Sequence, residues 1–299
     1  MIAHLTYYSD AYKVKGYLAL PPGCPSIPLD ALQSIVAEYH GVPYESLPVE
    51  LVASAARPQA ASPEAMPSYP VLVYCRGGVG GFGRVRPHWV DAFAARGFVC
   101  FAPCYRGNEG GEGRDEFGGA DREDVHAAIR LLRALPFVDS SRMTLLGFSR
   151  GSINAALAAA AMPDDIRGLV LWGGVADLAR TYEERVDLRR TLKRILGGTP
   201  AKRPEAFRER SPLHLAEGLR CPTLVVHGTV DVQVDVGHGL SMVERLRALG
   251  APVDLHLYEG QGHILPYPVF DAAVDRLLEW ADTPSEASDG ARSRGPRPQ

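Results

Sequence analysis

Met143-Thr144-Leu145-Leu146-Gly147-Phe148-Ser149-Arg150-Gly151, running straight on into Ser152 to Ala161, is the stretch on which the fold turns. An apolar run of strand length ends in Gly-x-Ser-x-Gly and passes directly into an Ala-rich segment of helix length. A strand-to-helix reversal this tight leaves no room for side chains beside the serine, hence the glycines, and it lifts the hydroxyl above the sheet edge. The serine also comes to lie at the positive end of a helix, where developing negative charge is stabilised. In a chain with 31 glycines the pentapeptide alone is a weak signal, and the strand behind it and helix ahead of it give it weight.

Outward from this point the same alternation repeats. Val71 to Tyr74, Phe98 to Ala102, Leu169 to Trp172, Thr223 to His227 and Val253 to Tyr258 read, with Met143 to Phe148, as strands buried on both faces. Helices fall between them. After Asp121 one stripe holds Val125, Ile129 and Leu132, with Asp121 and Asp124 at the favourable N-terminal end. His238 to Leu249 stops at Gly250, and Pro268 to Trp280 carries Phe270, Val274 and Leu277 at helical spacing. This order predicts an α/β protein with a mostly parallel sheet covered by helices on both faces, the α/β-hydrolase fold, as a single domain over residues 1–282. Residues 1 to 20 read as a hairpin. The Pro-, Ala- and Ser-rich stretch 22–69, with one helix-like piece near Asp30 to Tyr39, reads as an insertion of uncertain structure. Residues 176–215 are charged and helix-prone, which predicts a small helical cap, and the polar tail 283–299 is expected to be disordered.

An alcohol near neutral pH is a poor nucleophile and needs a base, which an acid must hold in one tautomer. The strand ending at His227 is followed by Gly228-Thr229-Val230-Asp231, and the next strand by Glu259-Gly260-Gln261-Gly262-His263. A carboxylate and an imidazole thus arrive in the order this fold uses, which makes Ser149 the candidate nucleophile, His263 the base and Asp231 the orienting acid. Asp235 and Asp177 compete with Asp231, and Asp235 reads better as a helix cap; His227 and His238 compete with His263 and read as hydrogen-bonded structural histidines. For the oxyanion, the backbone N–H of Arg150 is one candidate donor. Gly77 and Gly78, in Cys75-Arg76-Gly77-Gly78-Val79-Gly80-Gly81, are candidates for the second. Gly78 to Gly83 also satisfies Gly-x-Gly-x-x-Gly, but Cys104-Tyr105-Arg106 stands where a nucleotide site has an acidic residue, and Pro87 puts the helix start after the glycines.

The remaining composition narrows the function classes. With 46% hydrophobic and 22% charged residues and a net charge of -3, nothing calls for a nucleic-acid partner. No run approaches a membrane span of roughly 20 apolar residues, and no basic-then-apolar leader opens the chain, so a cytoplasmic protein is expected. Five cysteines, mostly in apolar runs, suit reduced buried thiols, and nine histidines without ligand spacing predict no metal. No organic cofactor is required. In the segment 176–215, Arg180, Arg185, Arg189, Arg190, Lys193 and Arg194 can either steer an acidic substrate or form a solvated helix face interleaved with Glu183, Glu184 and Asp187.

Several motifs in order now carry a resemblance. Tyr105-Arg106-Gly107-Asn108, Phe117-Gly118-Gly119-Ala120-Asp121, the Ser149 pentapeptide, Ser211-Pro212-Leu213, His227 to Asp231 and Gly262-His263 make residues 71 to 281 similar to the catalytic domain of the prolyl oligopeptidase family of serine peptidases and esterases. The resemblance implies that Ser149, Asp231 and His263 are the triad and that Gly77 and Gly78 match the family's His-Gly-Gly oxyanion loop. The motifs do not fix the substrate; the triad residues point to hydrolysis of a small ester or a peptide or amide bond through an acyl-enzyme, with a carboxylesterase lacking peptidase activity, or a non-catalytic ligand-binding protein of the same fold, as alternatives. The chain departs from the pattern at Arg76, where many members carry His, at Val79, where peptidases often carry Pro, and at Ser152, where a glycine is frequent. The part before residue 71 is too short for the β-propeller that restricts larger members to short peptides.

Overall fold

β-branched and aliphatic runs set the strands of this protein, and their pairing is given by a computed structural model that describes residues 1–25, 27–53 and 67–283. The strands are β1 (Ile2–Ser9), β2 (Tyr12–Ala19), β3 (Val49–Ala53), β4 (Tyr69–Cys75), β5 (Val99–Pro103), β6 (Val138–Phe148), β7 (Gly168–Trp172), β8 (Thr223–Gly228) and β9 (Val253–Tyr258). They form one sheet in the order β3-β1-β2-β5-β4-β6-β7-β8-β9. The first three strands are antiparallel to their neighbours, and β5 onward are mutually parallel. This is the α/β-hydrolase fold with its parallel part where the sequence alternates strand and helix.

Side chains alternate across the sheet, so each face has its own core. Val71, Val73 and Cys75 pack with α3 (Arg122–Arg133), α4 (Gly151–Ala161) and α9 (Val236–Ala248) through Val125, Ile129, Ala155, Met242 and Leu246. Leu72 and Tyr74 pack on the opposite face with Trp89 and Phe93 of α2 (Pro87–Ala94) and Val274 and Leu277 of α10 (Val269–Asp282). A third cluster, with Leu178, Tyr182, Leu192 and Phe207, lies under α5 (Leu178–Glu184), α6 (Arg189–Leu196), α7 (Pro204–Arg208) and α8 (Pro212–Leu215), which join β7 to β8. These four helices occupy the stretch read as a cap.

In the stretch 22–69, the described residues hold more order than the composition promised. α1 (Leu29–His40) buries Leu32 and Val36, and β3 adds to the sheet edge by pairing with β1. Ser26 and residues 54–66 lie outside the described residues, as does the tail from residue 284 on. Among the described residues no helix is long and apolar enough to cross a membrane.

The core makes one measurable claim. Phe101 is fully buried in β5, so Phe101→Ala is expected to cost about 3–5 kcal/mol of unfolding free energy in urea titrations. Val232 is 90% exposed, and Val232→Ala should change it by no more than about 0.5 kcal/mol.

Candidate active site

The turn at Ser149 is held in a conformation that side chains normally avoid. Ser149 has φ 56°, a left-handed backbone that costs a non-glycine residue on the order of 1–3 kcal/mol. The surroundings fix it: its N–H donates to Trp172 O at 2.9 Å, and its carbonyl accepts from the N–H groups of Ser152 and Val175 at 3.1 and 3.3 Å. Ser152 Oγ lies 2.6 Å from the same carbonyl and 3.0 Å from Val175 O, a bracing contact that the glycine frequent at this position lacks. Behind the turn, a Cβ on Gly151 would sit 1.9 Å from Cys75 O, so the helix can start this close to β4 only without a side chain.

Ser149 and His263 line one cavity of about 530 Å³, together with Gly77, Gly78, Val79, Phe82, Phe148 and Arg150. His263 Nδ1 lies 2.7 Å from Asp231 Oδ2. Asp231 is buried, and its Oδ1 accepts from the N–H groups of Gln233 and Val234 at 2.8 and 3.0 Å. Burial works to raise the Asp231 pKa, but hydrogen bonds from His227 and His263 outweigh it and hold the carboxyl well below the usual carboxylate range. A carboxylate at this distance is placed to accept a proton carried on His263 Nδ1, which turns Nε2 away from it.

The rival residues lie elsewhere or play other parts. Asp235 caps α9 by accepting from Gly237 N–H at 2.9 Å, and Asp177 caps α5 through Ala179 and Arg180 N–H at 2.8 and 3.2 Å. His238 Nδ1 accepts from Ala176 N–H at 3.2 Å, and its Nε2 meets Glu184 Oε2 at 3.1 Å. His227 donates from Nε2 to Val234 O at 2.9 Å and lies 3.5 Å from Asp231 Oδ2, so this strand-end histidine steadies the acid's loop from below.

The two glycines of the oxyanion loop have separate reasons. A Cβ on Gly77 would come 2.9 Å from the Ser149 Cβ, and Gly78 has φ +70° with Phe82 O 2.6 Å from where a Cβ would be. Both carbonyls face backward. Arg76 Nη1 donates to Gly77 O and Gly78 O at 3.2 and 3.3 Å, and Arg150 Nη1 donates to Gly78 O at 3.0 Å. In a planar trans peptide the N–H points opposite to the preceding C=O. The N–H groups of Gly78 and Val79 are therefore turned away from the arginines, and among the described residues no backbone acceptor takes them, nor the N–H of Arg150.

Sequence reasoning missed what anchors those arginines. Arg150 Nη2 donates to Asp115 Oδ1 and Asp121 Oδ2 at 2.6 and 2.8 Å, its Nη1 reaches Asp115 Oδ2 at 2.8 Å, and Arg76 Nη2 reaches Cys104 O at 2.7 Å. Asp121 does not act chiefly on the α3 dipole: its carboxylate accepts from the N–H groups of Glu116, Gly118 and Gly119 and from Asn154 Nδ2, all at 3.0–3.1 Å. Asp124, likewise read as a helix-end charge, binds Arg106 through Nε and Nη2 at 3.0 and 2.7 Å. The only signal for Asp115 was its place in a charged, Gly-rich loop.

Among the described residues one cluster of possible metal ligands comes together, and the glycine-rich loop takes a defined shape. His4, Cys104 and Glu109 bring one ligand atom each within 4.8 Å of one another, yet the Glu109 carboxylate already accepts from Tyr17 Oη at 2.9 Å and Val85 N–H at 3.0 Å. Gly80–Phe82 form a single 3₁₀ turn, and α2 begins at Pro87, so no helix N-terminus follows the glycines directly as a phosphate cradle requires.

Comparison with known proteins agrees with this architecture. The model of the prolyl oligopeptidase family matches residues 84–285, more than half of the chain. "Uncharacterized peptidase YtmA" of Bacillus subtilis is 42% identical over 220 residues, 74% of this chain and 86% of that protein. Dipeptidyl-peptidase 5 of Schizosaccharomyces pombe is 25% identical over 230 residues, 71% of this chain, but the match spans 32% of that longer protein. Among solved structures, Pyrococcus horikoshii acylaminoacyl peptidase has a similar fold, with TM-score 0.68 and 18% identity over 94% of this chain and 41% of that one.

The buried arginine pair gives a prediction in pH. Burial alone would raise the Asp115 pKa, but Arg150 and then Arg76 outweigh it and bring the carboxyl down to about 2. A depressed carboxylate contributes stability above its unfolded value near 3.9 and loses it as pH falls through the folded value, here worth on the order of 2 kcal/mol. Asp115→Asn should cost about 3–5 kcal/mol at pH 7, since it strands a buried charge. Urea midpoints of the two proteins should then converge as pH is lowered from about 4 toward 2.

Proposed function

Since this chain belongs to the prolyl oligopeptidase family of serine hydrolases, we propose that it cleaves a small ester or a peptide or amide bond through an acyl-enzyme on Ser149. The observation that carries this reading is the Asp231–His263 bond at 2.7 Å beside a serine on a strained turn, with serine and imidazole facing one cavity. Ser149 Oγ attacks the substrate carbonyl carbon, and its proton passes to His263 Nε2. Asp231 stabilises the imidazolium that forms. The tetrahedral oxyanion is received by the N–H of Arg150 and a second N–H from the loop, for which the backward-facing carbonyls of Gly77 and Gly78 favour Gly78 or Val79. Collapse breaks the bond to the leaving group, which takes the proton from Nε2. Water, deprotonated by the same nitrogen, then releases the acyl group and restores Ser149.

Arg76 fits this reading without acting on substrate. It is fully buried and stacks over the Tyr105 ring at 4.5 Å, where an imidazole would be too short to reach both Cys104 O and the glycine carbonyls. We assign it the positioning of the oxyanion loop. The similar proteins named above are peptidases, which favours a peptide bond as substrate, and a matched ester and anilide of one acyl group separate peptidase from esterase.

Ser149→Ala should abolish labelling by a fluorophosphonate and lower kcat for p-nitrophenyl butyrate by about 10⁴-fold or more. Asp231→Asn should retain labelling at a rate reduced roughly 10²–10⁴-fold, while the fold, read by circular dichroism, persists. Undiminished turnover by Ser149→Ala would remove the proposal.

A further inference from the structure

We infer that the substrate of the Ser149 site carries a carboxylate next to an apolar body, and that Arg84 and Arg86 receive that carboxylate. This deepens the hydrolase reading and rests on it. The cavity is lined by four arginines, Arg84, Arg86, Arg150 and Arg185, and by a single carboxylate, Asp187. Two of the four are already committed. Arg150 is buried against Asp115 and Asp121. Arg185 grips both oxygens of Asp187 at 2.9 and 2.7 Å and donates its remaining arm to Gln233 O at 2.9 Å.

Arg84 and Arg86 have no ion pair among the described residues. Arg86 lies over the Trp89 ring at 5.2 Å, which orients its guanidinium without neutralising it. Glu109 accepts from the backbone N–H of Val85, between the two, at 3.0 Å and from Tyr17 Oη at 2.9 Å, and among the described residues it forms no ion pair with either arginine. Two cations against one carboxylate that pairs with neither leave this part of the cavity wall with net positive charge. A planar guanidinium matches a carboxylate in geometry as well as in charge. Arg86 is half-buried, where such a pair is screened less than in open solvent, and Arg84 is exposed.

A second feature of the same loop points to the rest of the substrate. Phe82, two residues before Arg84, is 99% exposed although it lines the cavity, and Val79, Leu188 and Val175 continue the apolar surface. A large aromatic ring left open to solvent at a cavity rim is covered when an apolar group enters. The loop therefore offers an apolar platform followed by two free cations. A protonated amino terminus at the same place would be repelled by the charges that attract a carboxylate.

The test uses two matched pairs of esters with the whole protein. Mono-p-nitrophenyl succinate against p-nitrophenyl butyrate places the carboxylate on the acyl side, and 4-acetoxybenzoate against phenyl acetate places it on the leaving side. In one arm the anionic ester should have the higher kcat/KM, by roughly ten-fold at low salt, and the ratio should fall as salt is raised. The variant Arg84→Gln/Arg86→Gln should lower that anionic-to-neutral ratio by about ten-fold, whereas Arg84→Lys/Arg86→Lys, which keeps the charges, should retain most of it. Preference for the neutral ester in both arms, or a ratio that the glutamine variant leaves unmoved, overturns the inference. Failure of the wild-type protein to turn over any of the four esters would strike the hydrolase reading beneath it, a different result.

Discussion

The guanidinium of Arg150 is the contact through which three separate loops hold one another in place. Its residue follows Ser149 directly, so fixing the side chain fixes the turn. On Asp115 and Asp121 it ties the elbow to the Gly-rich loop before α3, and on Gly78 O it ties both to the loop after β4. Tyr105 lies against both buried arginines, with Arg150 at 5.0 Å and Arg76 at 4.5 Å from its ring. Two cations and two carboxylates make the cluster formally neutral. A buried ionic cluster of this kind roughly breaks even in free energy against apolar packing, so what it contributes is placement. Loops that meet at one buried charge have few ways to shift independently, which a site needing sub-ångström geometry requires.

This arrangement gives a physical account of the departures at Arg76 and Ser152. Arg76 pulls two carbonyls back so that the N–H groups of the same peptides face the other way, and Ser152 adds a hydroxyl to the carbonyl of the strained serine. Both changes act on the backbone around the nucleophile and neither reaches into the cavity lining. The strain at Ser149 is thereby opposed by hydrogen bonds on its N–H, its carbonyl and the neighbouring loop, as a left-handed non-glycine residue requires if it is to persist.

Those contacts also explain what could and could not be read from the chain. The parallel sheet was legible because buried strands announce themselves locally: Val71 to Tyr74 or Leu169 to Trp172 are apolar whatever surrounds them. The order Ser149, Asp231, His263 was legible because each stands just past a strand end. β6 begins earlier than its apolar run because Val138 to Arg142 enter the strand while partly exposed, and polar residues there hide it. β3 was hidden for the same reason, being an edge strand with four of its five residues exposed. Asp115 and Asp121 stand 35 and 29 residues from Arg150, in loops without periodicity, so nothing local distinguishes a buried partner from a solvated charge.

Charge density in the sequence was a poor guide to free charge in the folded protein. The densest basic run falls in the stretch 176–215, yet there Arg180 binds Glu184 and Asp235, Arg185 binds Asp187 and Arg189 binds Glu183. Arg190, Lys193 and Arg194 do not line the cavity. One of these pairs, Arg180–Glu184, has helical i,i+4 spacing, and the others are made across turns or between segments, so the charges of this stretch are consumed near the surface. Arg84 and Arg86 are only two residues in a loop, where no period supplies partners, and they are the cavity arginines left without an ion pair among the described residues. Under the reading proposed above, a cavity selects substrates by the charges its own fold has not neutralised, which places the electrostatic selectivity on the loop after β4 more than on the helices over it.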